Sequence, residues 1–140
     1  MRTAARQLRA WQEAGLRDIT VAVNLSATQF NHPRLVEDLQ AAVHDAGIEA
    51  GSIELELTEA VAASNPQGAM HVMDELRAAG FRLAIDDFGT GYSSMSHLKR
   101  FAVHKLKIDQ SFIRDVASDR DDQAIVTAII QMAHSLGVTT

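Results

Sequence analysis

Hydrophobic and polar residues alternate in four short segments of the chain, and each alternating segment predicts a β-strand. These segments cover residues 19–25, 53–57, 81–86 and 104–109. Between them, apolar residues recur every three or four positions, which is typical of amphipathic helices. We predict helices over residues 3–14, 33–47, 65–80 and 118–137, a short helix near residues 95–99, and the start of another strand at residues 138–140. Pro33 is expected to open the second helix, and Ser118 and Asp121 stand at capping-box spacing ahead of the last one.

Serial alternation of strands and helices predicts a parallel sheet with right-handed crossovers. Two architectures compete, an open doubly wound sheet and a (β/α)8 barrel. In a doubly wound sheet helices cover both faces, so its strands should be apolar nearly throughout. Here only one parity of each strand, meaning every second residue, is apolar: Leu55 and Leu57 alternate with the acidic Glu54 and Glu56. This pattern favours an α/β fold with a polar interior, namely about four to five β/α units of a TIM-type (β/α)8 barrel.

Composition narrows the classes of protein. Apolar content of 46% and charged content of 22% argue against disorder. The formal charge of −5 argues against a nucleic-acid polymer as partner, because duplex binding needs a basic surface. The sequence contains no cysteine, no apolar run approaching the ~20 residues of a membrane span, and no signal peptide at its start. We therefore expect a soluble intracellular domain without a membrane segment.

The polar parity places chemistry at the carboxyl ends of the strands, where barrel enzymes carry their active sites. Asn24, Glu56, Asp86 and Lys107 each lie at or near such an end, and Asp87 follows Asp86 directly. Oxygen ligands of this kind suit a hard divalent cation such as Mg2+, Mn2+ or Ca2+. Two like charges about 4 Å apart cost ~4 kcal/mol at an effective dielectric constant near 20, so these acids need neutralising by a metal or by Lys107. Two metals at one site would favour phosphodiester hydrolysis.

Structural explanations exist for single residues of this set. Acids at strand ends often cap helices or pair with nearby lysines, and Glu54, Arg82 and Lys105, one step earlier in their strands, could compensate one another. In an ideal strand Asp87 would point away from Asp86, so we expect the strand to end there, which Gly89 and Gly91 permit. A kinase interpretation of Asp-Phe-Gly fails because no H-R-D segment or glycine-rich ATP loop occurs.

Five stretches of the sequence, in order along the chain, resemble the EAL-domain family of bacterial phosphodiesterases, which hydrolyse cyclic di-GMP to linear pGpG. They are "VNLSATQF" (23–30), "LELTE" (55–59), "IDDFGTGYSS" (85–94), "LKIDQSFI" (106–113) and "AHSLGV" (133–138). The resemblance implies a barrel domain of bacterial second-messenger signalling in the cytoplasm, with Mg2+ or Mn2+ as cofactor and cyclic di-GMP as partner.

The resemblance also implies roles for single residues. Asn24, Glu56 and Asp86 would hold one metal ion, and Asp86 with Asp87 would help to hold a second. Lys107 would contact the hydrolytic water, and Glu59 would anchor a loop that couples dimerisation to metal binding. That loop, called the 88–94 loop below, consists of Phe88, Gly89, Thr90, Gly91, Tyr92, Ser93 and Ser94. The resemblance also implies a homodimer that forms through this loop.

Parts of the family's pattern do not occur in this sequence. The Glu-Ala-Leu motif of the first strand, a later Ala-Glu-Gly and a later glutamine are absent. We therefore interpret residues 1–140 as a single partial EAL domain that lacks the first strand and the last strands of the barrel, and we expect it to be inactive alone. One alternative is a non-catalytic module that binds cyclic di-GMP or a protein partner, and another is a half-barrel that a second chain completes.

Overall fold

A computed structural model describes residues 1–91 and 98–140. Within them the strands are β1 (Val21–Asn24), β2 (Ile53–Thr58), β3 (Arg82–Phe88) and β4 (Lys105–Ile108). The helices are α1 (Arg2–Glu13), α2 (Ala27–Phe30), α3 (Leu35–Ala46), α4 (Glu59–Ser64), α5 (Pro66–Ala78), α6 (Gln110–Arg114) and α7 (Arg120–Ser135). No helix in these residues is long and apolar enough to cross a membrane.

The strands form one parallel sheet in the order β1-β2-β3-β4, so each strand pairs with the next along the chain. A doubly wound sheet would reverse its order at a switch point, whereas the wall of a barrel does not. Thr139 adds a parallel bridge to Lys105 on the free side of β4, where residues 138–140 were expected to begin a strand. The predicted fold class, an α/β barrel wall, is confirmed.

The apolar parity of the strands packs beneath the helices. Leu55, Leu57, Leu83, Ile85 and Leu106 are all buried, and each contributes roughly 1.5–3 kcal/mol by leaving water. The opposite face is polar, yet Glu54 and Glu56 are also buried there. Ala84 lies between them and β4: it is fully buried, and its register partners are Glu56 on one side and Lys105 on the other.

Helix ends follow local chemistry, with two differences from the sequence expectations. α3 begins at Leu35 rather than at Pro33, which lies in the turn before it. The cap of α7 is Asp119 rather than Ser118: the Asp119 carboxylate accepts hydrogen bonds from the N–H groups of Asp121 and Asp122. The Ser118 hydroxyl instead donates to the carbonyl of Asp115. A carboxylate at the cap also suits the positive end of the helix dipole.

Three short helices escaped the sequence analysis, since four to six residues are too few to show a helical period. α2, α4 and α6 follow β1, β2 and β4 closely, so they surround the carboxyl ends of the strands. Most of the short helix expected near residues 95–99 lies outside the described residues.

Candidate metal-binding site

The carboxyl ends of the four strands bring a predicted set of residues to one edge of the sheet. These residues, called the rim residues below, are Asn24, Glu56, Asp86 and Lys107. Asn24 is the register partner of Glu56, and Asp86 is the partner of Thr58, two residues beyond Glu56. The Lys107 ammonium reaches both acids: its Nζ lies 2.9 Å from Glu56 Oε2 and 3.3 Å from Asp86 Oδ1. One cation from β4 therefore joins carboxylates from β2 and β3.

Burial strengthens the electrostatic attraction between Lys107 and the two acids, Glu56 and Asp86. The Glu56 side chain is only 5% exposed, against 22% for Asp86 and 39% for Lys107. The hydrogen bond to Glu56 outweighs the loss of hydration, and with help from Asp86 it raises the pKa of Lys107. Lys107 is therefore a permanent positive charge at neutral pH, and it offsets part of the repulsion between the two acids.

Asp87 adopts a conformation that is rare for a strand residue. Its φ is +54°, and it is the one non-glycine residue of the described chain with a positive φ. The pairing of β3 with β4 passes from Ile85 opposite Leu106 to Phe88 opposite Ile108, so Asp86 and Asp87 together face Lys107. This is a β-bulge. The expectation that the strand ends at Asp87 was therefore wrong: β3 continues to Phe88, and the extra residue redirects the chain.

The surroundings of Asp87 are acidic. Partial loss of hydration, followed by the negative charges of Asp86 and Asp109, raises the pKa of Asp87. Hydrogen bonds from Ser111 lower the pKa of Asp109, whose carboxylate caps α6 by accepting the Ser111 N–H at 2.7 Å. Asp109 ends the predicted strand segment 104–109, two residues after Lys107 and therefore in the same parity, but the sequence assigned it no role. That shared parity with Lys107 was the available signal.

Glu59 opens α4 and is buried beside the 88–94 loop. Its Oε2 accepts the N–H groups of Gly89 at 2.9 Å and Gly91 at 3.1 Å. A Cβ added at Gly91 would lie 2.9 Å from the Glu59 carboxyl carbon, so a side chain at residue 91 would displace the Glu59 carboxylate. The contact is the one expected of a loop anchor. In the same loop Phe88 is buried, and the Thr90 hydroxyl donates to the carbonyl of Asp87. Tyr92, Ser93 and Ser94 lie outside the described residues.

A second ionic layer lies one step earlier in the strands. Lys105 Nζ is 2.7 Å from Glu54 Oε2, and His104 Nε2 is 2.9 Å from the same oxygen. Burial alone would raise the pKa of Glu54, but the hydrogen bonds and charges of Lys105 and His104 outweigh it and lower this pKa. Arg82, which was expected to take part, is exposed at the start of β3, and His104 contacts Glu54 instead.

The donor set fits a hard divalent cation. Oxygens of Glu56 and Asp86 already converge on one positive charge, and an amide from Asn24 lies on the neighbouring strand. In residues 1–91 and 98–140 no group of three or more acidic or histidine side chains converges closely enough to hold a metal ion without rearrangement. The fit therefore rests on two carboxylates whose present counter-ion is Lys107.

Comparison with known proteins gives one consistent picture. The family model described as "EAL domain" matches residues 1–140. The chain is 42% identical over 135 residues to the bifunctional diguanylate cyclase/cyclic di-GMP phosphodiesterase MucR of Pseudomonas aeruginosa, covering 96% of this chain and 20% of that protein. It is 40% identical over 136 residues to the cyclic di-GMP phosphodiesterase NbdA of the same organism, covering 97% of this chain and 17% of that protein. The chain thus spans about a fifth of the length of these curated relatives.

Solved structures agree with the sequence relatives. The P. aeruginosa MucR phosphodiesterase in complex with cyclic di-GMP superposes with a TM-score of 0.94 at 42% identity, covering 98% of this chain and 56% of that one. The calcium and cyclic di-GMP complex of Klebsiella pneumoniae BlrP1 gives a TM-score of 0.85 at 33% identity, over 98% of this chain and 35% of that one. The structure of BlrP1 has also been solved with manganese and cyclic di-GMP. A divalent metal thus accompanies the nucleotide in the BlrP1 structures.

Proposed function

Because the chain belongs to the EAL domain family, we propose that it supplies part of a metal-dependent phosphodiesterase site that hydrolyses cyclic di-GMP to linear pGpG. The observation that carries the proposal is the convergence of Glu56 and Asp86 on one cation at the carboxyl end of a parallel barrel wall. Relatives that share this wall at 33–42% identity are known with cyclic di-GMP bound.

In this proposal Asn24, Glu56 and Asp86 would hold one Mg2+ or Mn2+ ion, and Asp87 would join Asp86 toward a second. A cation bound there would polarise the phosphodiester and lower the pKa of a water molecule. Lys107, whose raised pKa keeps it protonated, would donate hydrogen bonds to the attacking water or to a phosphate oxygen rather than act as a base. Asp87, the second acid of the pair, would accept the proton of that water.

Glu59 acts in this proposal by positioning. Its carboxylate holds Gly89 and Gly91, the first glycines after the acidic pair, and so fixes where the 88–94 loop leaves β3. The finer expectations belong to the same proposal: a homodimer formed through the 88–94 loop, and the bacterial cytoplasm as the compartment.

A non-catalytic binding module is the second candidate. It is favoured by one observation, that no three acidic or histidine side chains of the described residues converge as a ready metal site. Such a module would bind cyclic di-GMP and leave it intact.

The test is hydrolysis of cyclic di-GMP with Mg2+ or Mn2+ by the protein that contains residues 1–140, followed by chromatography of pGpG. We expect Glu56→Gln and Asp86→Asn each to abolish turnover, because each removes a charged ligand. Glu54→Gln is the matched control, since Glu54 lies on the same strand and the same face but pairs with Lys105 and His104.

Retained turnover in either rim variant would contradict the metal assignment. Binding of cyclic di-GMP without any turnover in the unchanged protein would favour the non-catalytic module. Residues 1–140 by themselves are expected not to hydrolyse cyclic di-GMP, so turnover by this chain alone would refute that expectation.

A further inference from the structure

The Lys107 ammonium occupies the position that a divalent cation bound by Glu56 and Asp86 would need. Its ammonium contacts Glu56 and Asp86, the two carboxylates with the best claim to a metal ion. A divalent cation binds carboxylate oxygens at about 2.0–2.6 Å, closer than the 2.9 Å of the lysine contact. Two cations on the same oxygens repel each other strongly.

The negative charge at this position demands a counter-ion in every state. Glu56 is buried, and a buried carboxylate without a partner is strongly disfavoured. Asp86 and Asp87 add two further carboxylates within the bulge of β3. Without Lys107 and without a metal, the described part of the chain offers no ion-pair partner to the acids Glu56 and Asp86.

We propose that Lys107 is a placeholder cation, which holds Glu56 and Asp86 together in the absence of metal and which an incoming divalent ion displaces from at least one of them. The inference rests on the proposed metal site. It follows that Lys107 lowers the affinity for metal while it stabilises the metal-free chain. Once displaced, the ammonium is free to turn toward the substrate phosphate, so metal binding and substrate binding are coupled through one side chain.

The chain offers a matched control for this idea. Lys105 lies two residues earlier on β4 and pairs with Glu54, two residues earlier on β2. The two lysines are similarly exposed, at 34% and 39%, and their glutamate partners are similarly buried. Lys105 differs because, among the described residues, its ion-pair partner is Glu54 rather than Glu56 or Asp86, and His104 shares that glutamate. A metal should therefore respond to the loss of Lys107 and not to the loss of Lys105.

The experiment compares Lys107→Met and Lys105→Met with the unchanged chain, each within the protein that contains residues 1–140. Thermal unfolding is followed by circular dichroism in EDTA and in Mn2+, and Mn2+ affinity is measured by titration calorimetry without nucleotide. In EDTA we expect both variants to melt several degrees below the unchanged chain. Mn2+ should raise the melting temperature of Lys107→Met more than that of the unchanged chain, and the Mn2+ dissociation constant of Lys107→Met should fall about tenfold. Lys105→Met should bind Mn2+ as the unchanged chain does.

Equal or weaker Mn2+ binding by Lys107→Met would overturn the placeholder role, and so would an equal gain in Lys105→Met. If Lys107→Met is unfolded in EDTA, recovery of its structure by Mn2+ supports the inference. If it stays unfolded in Mn2+, Lys107→Arg decides: a guanidinium keeps a cation on both acids and should bind Mn2+ no more tightly than lysine does. Tighter binding by Lys107→Arg would overturn the inference. Absence of Mn2+ binding by the unchanged chain would instead contradict the proposed metal site itself.

Discussion

Asp87 combines two properties that strand residues normally avoid, a positive φ and a position between other acids. Aspartate tolerates the left-handed region better than most residues do, because its short polar side chain bonds locally. Its own N–H donates to Asp86 Oδ1 at 3.1 Å, which supports the bulge. The bulge, in turn, is what allows both acids to face Lys107 rather than opposite sides of the sheet.

Replacement of Asp87 separates its backbone role from its charge. Because the pKa of Asp87 is raised in the folded chain, the native state binds the proton more tightly than the unfolded state does. Stability from this group therefore declines as pH rises from the ordinary aspartate pKa through the raised value. Asp87→Asn should remove this decline and raise the free energy of unfolding near pH 7 by less than about 1 kcal/mol, since the site is exposed.

Urea unfolding across that pH range measures the effect. Asp87→Val serves as the contrast: a β-branched residue resists a positive φ, so we expect it to cost about 1–3 kcal/mol at every pH. Equal stability of the asparagine and valine variants would contradict the backbone assignment.

At the scale of the single residue, alternation in the strands was sufficient to place Asn24, Glu56, Asp86 and Lys107 on one rim. It was insufficient for Asp87, because a bulge depends on pairing with β4 and leaves no mark in the alternation of β3 alone. Partners inside the sheet were also hard to assign. Lys105 forms the expected ion pair with Glu54, but the second partner of Glu54 is His104 rather than Arg82. The direction of a long side chain depends on the space around it, which only the fold defines.

Among the elements, β3 and the loop after it carry most of the site. The strands were predictable to within about two residues from alternation and β-branched content, whereas α2, α4 and α6 were not. α2 and α6 begin at side-chain caps, such as the Ser26 side chain that accepts the Gln29 N–H at 3.3 Å, whereas α4 has no side-chain cap. From the first position of α4, Glu59 accepts the N–H groups of Gly89 and Gly91.

Gly89 should be far less replaceable than Gly15, although both have positive φ values of +105° and +99°. A Cβ at Gly89 would lie 2.9 Å from Phe112 of α6 and 3.3 Å from Ile129 of α7, whereas a Cβ at Gly15 meets nothing within 4 Å. We expect Gly15→Ala to cost about 1–2 kcal/mol for its backbone alone. Gly89→Ala should cost roughly 1–3 kcal/mol more, because it also overpacks the junction of the loop with these helices.

Chemical denaturation of the two alanine variants provides the comparison. Equal losses would mean that Phe112 and Ile129 move aside freely, and that the start of the loop is not held by α6 and α7.

For the whole molecule, the polar face of the sheet makes stability depend on pH. Glu54 has a lowered pKa in the folded chain, so its contribution is complete above its unfolded pKa and is lost as pH falls through the folded value. We expect the free energy of unfolding of the unchanged chain to fall more steeply on acidification, between about pH 5 and pH 3, than that of Glu54→Gln. Urea unfolding at a series of pH values measures both slopes, and parallel slopes would show that Glu54 does not govern acid unfolding.

The barrel wall could be predicted from the sequence, because four successive strands each have one apolar and one polar parity. The pairing of charges on the polar face could not, because Glu54 and Glu56 form ion pairs with lysines from a strand that is not their neighbour in the sheet.

Those lysines reach β2 only by crossing β3, and Ala84 lies on β3 in register between Glu56 and Lys105. A methyl group leaves a gap; a larger side chain would stand between Glu56 and the cations of β4 as a wedge. The volume of an uncharged alanine is therefore a determinant of the charge pattern. Anyone comparing or redesigning such sites by their acids and lysines alone would overlook the position that decides whether those charges meet.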